Sequence, residues 1–165
     1  MKKILLLGAF ALFGTISAQT GFQLGAHIGI PTGDAGDVYS FKAGVDAAYL
    51  WPVATNLNLG IASGYSVWFG KDVSTPFGNL EMDNLNLVPV ALSGQYNLTP
   101  EFSLMVDLGY GFLFADGESD GGFYYHPKAA YHFGPSEVYV GYSGVSKDGA
   151  TLSSINLGYA YTFGK

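Results

Sequence analysis

The sequence predicts an all-β protein, an eight-stranded antiparallel up-and-down transmembrane β-barrel. Three observations lead to this prediction. Apolar residues alternate with small or polar residues in eight segments, short and long connectors alternate between these segments, and the N-terminus resembles an export signal. Alternation with a period of two is typical of a strand whose two faces meet different surroundings. Its repetition between turn signals is typical of a membrane barrel.

The N-terminus has the three parts of a secretory signal peptide. Lysines at positions 2 and 3 precede an apolar run over residues 4–14, and small residues end at Ala18. The run is shorter than the roughly 20 residues that a membrane-spanning helix needs. We therefore expect a cleaved signal peptide over residues 1–18 and a mature barrel domain over residues 19–165.

Eight segments of the mature chain show the alternation. They cover residues 21–31, 41–51, 57–69, 84–96, 102–114, 122–133, 137–145 and 152–163. Most are close to the 9–11 residues with which a tilted strand crosses a bilayer. In the fourth segment the apolar positions change phase at Pro89. We interpret this change as a β-bulge, where a strand ladder tolerates proline.

The connectors between the segments fall into two classes. Short turns are predicted at 52–56, 97–101 and 134–136, and longer or more polar loops at 32–40, 70–83, 115–121 and 146–151. Short turns on one side and longer loops on the other are typical of outer-membrane barrels. This arrangement predicts that both chain termini lie in the periplasm and that the acidic loops face the exterior.

The two faces of the strands decide between a soluble and a membrane barrel. One face carries large apolar residues, and the other carries mainly Gly, Ala, Ser, Asn and a few charges. Eight strands enclose an interior just wide enough for side chains, so the small polar face fits inside. We therefore expect the apolar face to contact lipid, with aromatic belts at both ends of the strands. A soluble barrel that carries an apolar ligand is the structural alternative.

The composition excludes several functional classes. Only 12% of the residues are charged, compared with about 25% in soluble domains. The net charge of −6 does not favour nucleic acid, which requires a basic face. The chain contains no cysteine, which excludes a thiol nucleophile and a thiolate metal site.

The whole mature chain resembles the outer-membrane β-barrel domain family, which includes OmpX, OmpW and the membrane domain of OmpA. The resemblance rests on the export signal, the eight alternating strands and an aromatic final strand, LGYAYTF at residues 157–163. It implies a protein of the Gram-negative outer membrane that is surrounded by lipid and inserted by the barrel assembly machinery. We expect a monomer. The family includes adhesion and stress proteins, narrow channels and enzymes, so the resemblance leaves the activity open.

Ionisable residues on the inward face form a candidate polar network. His27 and Asp46 come nearly opposite each other in the first hairpin, and Asp107 and Lys128 do so in the third. Because a buried charge needs a partner, we interpret the network as a charge-neutralising plug, with a proton relay as the alternative. Its members are His27, Lys42, Asp46, Asp107, His126 and Lys128, and Gln23, Gln95, His132 and Glu137 lie on the same face.

Three functions are compatible with this barrel. The leading hypothesis is a structural or surface-interaction protein without catalytic activity or cofactor. The second is a narrow channel or a small-molecule-binding barrel similar to OmpW, for which Trp68 and Leu113 would line an apolar pocket. The third is a lipid-modifying enzyme with His126 as the general base and Tyr142 or Ser143 nearby, although no motif marks a nucleophile.

One predicted loop contains half of a calcium-binding pattern. Asp116, Glu118 and Asp120 occupy positions 1, 3 and 5, and Gly121 occupies position 6, but Pro127 replaces the closing glutamate. Divalent cations are therefore possible partners of the acidic loops, and an ordinary solvated loop is the stronger interpretation. The loop acids are Asp34, Asp37, Asp72, Glu81, Asp83, Asp116, Glu118, Asp120 and Asp148, compared with the two lysines Lys71 and Lys147.

Overall fold

The computed structural model describes residues 21–75 and 78–164. The predicted signal peptide, residues 1–18, lies outside the described residues. Within the described ranges, no helix is both long enough and apolar enough to cross a membrane.

Ten strands and one short helix make up the described chain. They are β1 (Gly21–Thr32), α1 (Ala35–Val38), β2 (Tyr39–Ala54), β3 (Leu57–Gly70), β4 (Asp72–Thr75), β5 (Gly78–Glu81), β6 (Leu85–Asn97), β7 (Phe102–Ala115), β8 (Glu118–Phe133), β9 (Ser136–Lys147) and β10 (Ala150–Phe163). Eight of the strands close into an antiparallel barrel in the order β1–β10–β9–β8–β7–β6–β3–β2. The predicted eight-stranded up-and-down barrel is confirmed.

The two ends of the barrel differ. One end, called the turn end, carries the connections β2–β3, β6–β7 and β8–β9 together with the start of β1 and the end of β10. The opposite loop end carries α1 and the separate β4–β5 hairpin, neither of which was predicted. Ala35 of α1 is buried, and Lys71 donates a hydrogen bond to the carbonyl of Gly36. The loop between β1 and β2 is thereby held against the loop end of the barrel.

Two of the four predicted loops are instead tight turns. The β7–β8 hairpin turns through Asp116 and Gly117, with φ of 49° and 83°, and the β9–β10 hairpin turns through Asp148 and Gly149, with φ of 50° and 86°. Two-residue hairpin turns with positive φ at both positions favour Asp-Gly. The loops predicted at 115–121 and 146–151 were therefore wrong. The strands extend as far as the two Asp-Gly turns, beyond the points at which the change in polarity had indicated that they end.

The predicted bulge in β6 was also wrong. The register of β6 with β7 runs without a shift from Asn86 to Asn97. Leu85 and Leu87 belong to the same inward face as the small and polar residues that follow them. The side chains of this face change from apolar to polar along β6, while the strand itself remains regular. Pro89 instead lies where the β3–β6 pairing is interrupted, because proline has no N–H to donate.

The outer surface of the barrel is apolar. Leu92 is 71% exposed, and similar aliphatic side chains surround the barrel at mid-height. Aromatic rings cluster towards both ends: Phe102 and Tyr131 lie 4.9 Å apart at the turn end, and Phe41 and Phe69 lie 4.3 Å apart at the loop end. An apolar band between two aromatic belts matches the bilayer and its interfaces. The transmembrane barrel is confirmed, and a soluble barrel does not fit, because it would expose this band to water.

We expect Leu92→Lys to destabilise the barrel in lipid by about 2–4 kcal/mol, because Leu92 faces outward near the middle of β6 and a lysine there would lie near the bilayer midplane. The free energy of unfolding is measured by urea titration in lipid vesicles. Leu98→Lys, in the β6–β7 turn, is the matched control and should cost about 0–1 kcal/mol. Equal costs at both positions would contradict the assigned membrane band.

Candidate functional site

The lumen of the barrel is the candidate site, and polar side chains fill it from the turn end inward. Nearest the turn end, His132 lies between two partners, with Nε2 2.7 Å from Ser103 Oγ and Nδ1 3.2 Å from Glu137 Oε2. Gln23 donates from Nε2 to Glu137 at 3.4 Å and to Thr162 at 3.2 Å. This layer joins β1, β7, β8, β9 and β10 across the interior.

Two carboxylates occupy the middle of the lumen. Asp46 Oδ2 lies 2.7 Å from His27 Nδ1 and accepts a hydrogen bond of 2.7 Å from the hydroxyl of Tyr139. Tyr139 is on the third strand from β2 around the barrel, so this contact crosses the lumen. The pairing expected between His27 and Asp46 is present in the structure, and Tyr139 is a partner that the sequence analysis did not include.

The second carboxylate, Asp107, has three neighbours. Lys128 Nζ donates to it at 2.6 Å, Ser93 Oγ donates to it at 2.6 Å, and His126 Nδ1 lies 3.9 Å away. Both Asp107 and Lys128 are largely buried, with side chains 5% and 11% exposed. A buried ion pair requires such additional hydrogen bonds to offset desolvation.

Lys42, the remaining member of the predicted network, lies nearer the loop end and apart from the two carboxylates. Its Nζ donates to Ser143 Oγ at 3.0 Å and lies 5.1 Å from the centre of the Trp68 ring. Ser143 in turn lies 3.0 Å from Ser154 Oγ and accepts a bond of 3.0 Å from Asn156. The structure therefore divides the predicted network into three groups. One surrounds Asp46, one surrounds Asp107, and the third consists of Lys42 and its hydroxyl partner Ser143.

An apolar cluster closes the lumen towards the loop end. Trp68 and Leu87 are each 1% exposed, and Tyr124 and Val145 pack in the same cluster with Ala35 of α1. Leu113 packs against this cluster from its edge. Trp68 and Leu113 therefore belong to a filled apolar layer, whereas the sequence analysis considered them as the lining of a pocket.

Glycine makes room for the large rings in this narrow interior. A Cβ on Gly158 would lie 2.2 Å from the ring of Tyr139, which is its pairing partner on β9. A Cβ on Gly141 would lie 2.6 Å from Nε2 of His126. The interior of an eight-stranded barrel is just wide enough for side chains, so a glycine opposite a large side chain supplies the space that it needs. An inward glycine opposite a tyrosine is the sequence signal that could have identified Tyr139.

The lumen does not assemble a hydrolytic site around His126. Its Nδ1 lies 3.1 Å from the Tyr124 hydroxyl, and its Nε2 lies 3.5 Å from Asn156, which separates it from Ser143. Tyr142 points outward and is 39% exposed. A nucleophile has to lie within hydrogen-bond reach of its base, and neither of the predicted neighbours, Ser143 or Tyr142, is bonded to His126.

The residues of the calcium-binding pattern do not converge on one point. Asp116 is in the β7–β8 turn, whereas Glu118 and Asp120 belong to β8. Lys147 donates to the carboxylate of Asp120, and this bond, together with the N–H of Gly121, lowers the pKa of the Asp120 carboxyl. Within the described residues, no three His, Asp or Glu side chains lie close enough to hold a metal ion.

Comparisons with known proteins identify the fold. No family model and no curated protein matches the chain. The crystal structure of Ail, the attachment invasion locus protein of Yersinia pestis, matches with a TM-score of 0.55 and 14% identity over 90% of this chain and 100% of that chain. Ail in complex with the heparin analogue sucrose octasulfate gives 0.57 and 12% over 87% and 97%. The de novo designed TMB2.3 gives 0.53 and 14% over 88% and 97%. The chain has the fold of the small outer-membrane β-barrels.

We expect Asp107→Ala to lower the free energy of unfolding by about 3–5 kcal/mol, because it leaves the buried Lys128 without its carboxylate. Urea unfolding in detergent micelles or vesicles measures the change. The double variant Asp107→Ala/Lys128→Met should recover most of the loss, because it removes both charges. Ser93→Ala, which removes only one hydrogen bond to Asp107, should cost about 1.5–3 kcal/mol. A double variant as unstable as Asp107→Ala would contradict the pairing.

Proposed function

We propose that the chain is an integral outer-membrane protein with a plugged lumen that acts through the surface of its loop end. The observation that carries this proposal is the filling of the lumen by a polar layer at the turn end, paired carboxylates in the middle and an apolar cluster towards the loop end. A continuous path for solutes would have to cross all three of these layers. The ends of the barrel are therefore the surfaces that remain available to partners.

The loop end is the stronger candidate for the partner surface. We place it at the cell exterior, because short turns face the periplasm in barrels of this kind. The name of Ail, whose structure has the same fold, links that protein to attachment and invasion. An attachment role would also suit a barrel that presents hairpins beyond the membrane and whose lumen, as we propose, is plugged.

The charge of the loop end suggests which partners it would bind. Nine acids and two lysines belong to the connections predicted at this end. Lys147 already pairs with Asp120, so the remaining charge is strongly negative. Potentials of opposite sign favour association, and like charges oppose it. We propose a partner with a basic surface, whereas Ail forms a complex with the polyanionic heparin analogue sucrose octasulfate.

Catalysis at the predicted base His126 is not part of this proposal, because His126 and the neighbouring Ser143 are enclosed within the lumen. His126 is 3% exposed and Ser143 is 1% exposed. A substrate would have to displace the plug to reach them. A narrow channel is the second candidate function, and it requires the same displacement.

We expect the protein to show no conductance steps in planar lipid bilayers, because the apolar cluster at Trp68 and Leu87 closes the lumen. The variant Trp68→Ala/Leu87→Ala removes the two most deeply buried side chains of that cluster. It should produce small conductance steps and so demonstrate that the assay detects an opened lumen. Steady conductance of the unmodified protein, above that of empty bilayers, would contradict the plug and favour the channel.

We expect the barrel in uncharged nanodiscs to bind poly-lysine, with an affinity that falls as salt is added, and not to bind sucrose octasulfate. Replacing Asp116, Glu118 and Asp148 by Asn, Gln and Asn should weaken poly-lysine binding about tenfold, at roughly 0.5 kcal/mol per charge. Glu101→Gln, an exposed carboxylate at the turn end, is the control and should leave binding unchanged. Preference for the polyanion would overturn the proposed charge complementarity.

A further inference from the structure

The turn end contains a depression that the plug does not fill. Two adjoining cavities of about 230 Å³ and about 470 Å³ open there, and they share Asn58, Gln95 and His132. We call this combined space the vestibule. Small-molecule sites in proteins typically occupy about 300–1,000 Å³, so its size suits a ligand rather than a single water molecule.

The lining of the vestibule is polar and almost free of charge. No Lys, Asp or Glu belongs to the described residues that line either cavity, although the loop end of the same barrel is strongly acidic. His132 is the one lining side chain that can titrate. The polar lining consists of the carboxamides Gln23, Asn56, Asn58, Gln95 and Asn97, the hydroxyls Thr55, Thr99 and Thr162, and the imidazole of His132.

Several of these side chains are held in place before any ligand arrives. His132 lies between Ser103 and Glu137 at 2.7 and 3.2 Å. Gln95 donates from Nε2 to Asn97 at 2.8 Å, and Gln23 also uses its Nε2 for its bonds within the barrel. A carboxamide carries an acceptor oxygen as well as its donors. Polar groups fixed in this way lose little freedom when they bind a ligand.

The lining excludes most classes of ligand. A charged ligand would lose hydration without gaining an opposite charge. An extended peptide that binds by strand addition needs a free sheet edge, and the closed barrel has no such edge at the turn end. An apolar ligand would leave the carboxamides without partners. A neutral ligand with many hydroxyl groups can pair with donors and acceptors alike.

We propose that the vestibule binds a neutral saccharide through hydrogen bonds between its hydroxyl groups and the carboxamides of Asn58 and Gln95, beside the His132 ring that Ser103 and Glu137 hold in place. Leu50 and Pro52 on one side of the vestibule offer apolar surface for the C–H face of a sugar ring. Leu98 and Pro100 do the same on the other side. The vestibule lies at the opposite end of the barrel from the proposed partner surface, so this inference is independent of the proposed function.

The test is an NMR titration of the isotope-labelled barrel in uncharged nanodiscs with the neutral disaccharide N,N′-diacetylchitobiose. We expect saturable shifts of the side-chain amide signals of Asn58 and Gln95. Asn58→Leu/Gln95→Leu keeps the approximate volume, removes the hydrogen bonds and should weaken binding about tenfold. Asn86→Leu, an outward carboxamide near the loop end, is the matched control and should leave the affinity unchanged.

Three results would overturn the proposal. They are the absence of any saturable shift up to the solubility limit of the disaccharide, equal binding by the double variant, and tighter binding of a neutral tripeptide amide than of the disaccharide. The heat-dependent mobility shift of a closed barrel on unboiled gels verifies that each variant is folded. If the double variant does not fold, the single variants Asn58→Leu and Gln95→Leu replace it, and each should weaken binding severalfold.

Discussion

The width of an eight-stranded barrel is the constraint on which the rest of this structure depends. Closing eight strands leaves an interior that holds side chains and little else. Most inward groups are therefore small, or lie opposite a small residue, or contribute to the hydrogen bonding of their neighbours. Tyr139 shows the last two effects, because Gly158 leaves space for its ring while its hydroxyl donates to Asp46. Because the outer face of the strands has to be apolar, the polar side chains lie on the inward face, where they fill the lumen and form the plug.

The plug separates the barrel into two ends that are chemically unlike. Asp107 is buried and Asp46 is half-buried, and each carboxylate is paired within the lumen, so their charges contribute little to either opening. The loop end is acidic and is covered in part by α1, whereas the vestibule at the turn end is rich in carboxamides and has no Lys, Asp or Glu among its described lining residues. A conducting pore would connect these two ends through water, whereas a filled lumen keeps them apart. Each end can therefore bind a different class of partner. For this reason we treat the acidic hairpins and the neutral vestibule as separate surfaces.

The closed barrel also explains how the sheet tolerates a proline, Pro89, within strand β6. Pro89 cannot donate to a ladder, and the β3–β6 pairing is interrupted beside it. The Ser63 hydroxyl donates to the Pro89 carbonyl at 2.8 Å, which satisfies an acceptor at the interruption. The register resumes unchanged at Ser66 and Leu87 because the other side of β6 remains fully paired with β7. An unsatisfied backbone group would be costly at this depth in a bilayer.

The sequence by itself determined the eight barrel strands and their two faces, because alternation with a period of two is a local property of each segment. It also contained the Asp116-Gly117 and Asp148-Gly149 turn signals, which polarity alone obscured. Only the tertiary structure decided which lumen residues meet. Tyr139 reaches Asp46 across 93 positions of sequence, and Lys42 reaches Ser143 across 101. Such contacts depend on the stagger of strands in the closed barrel, which no single segment encodes.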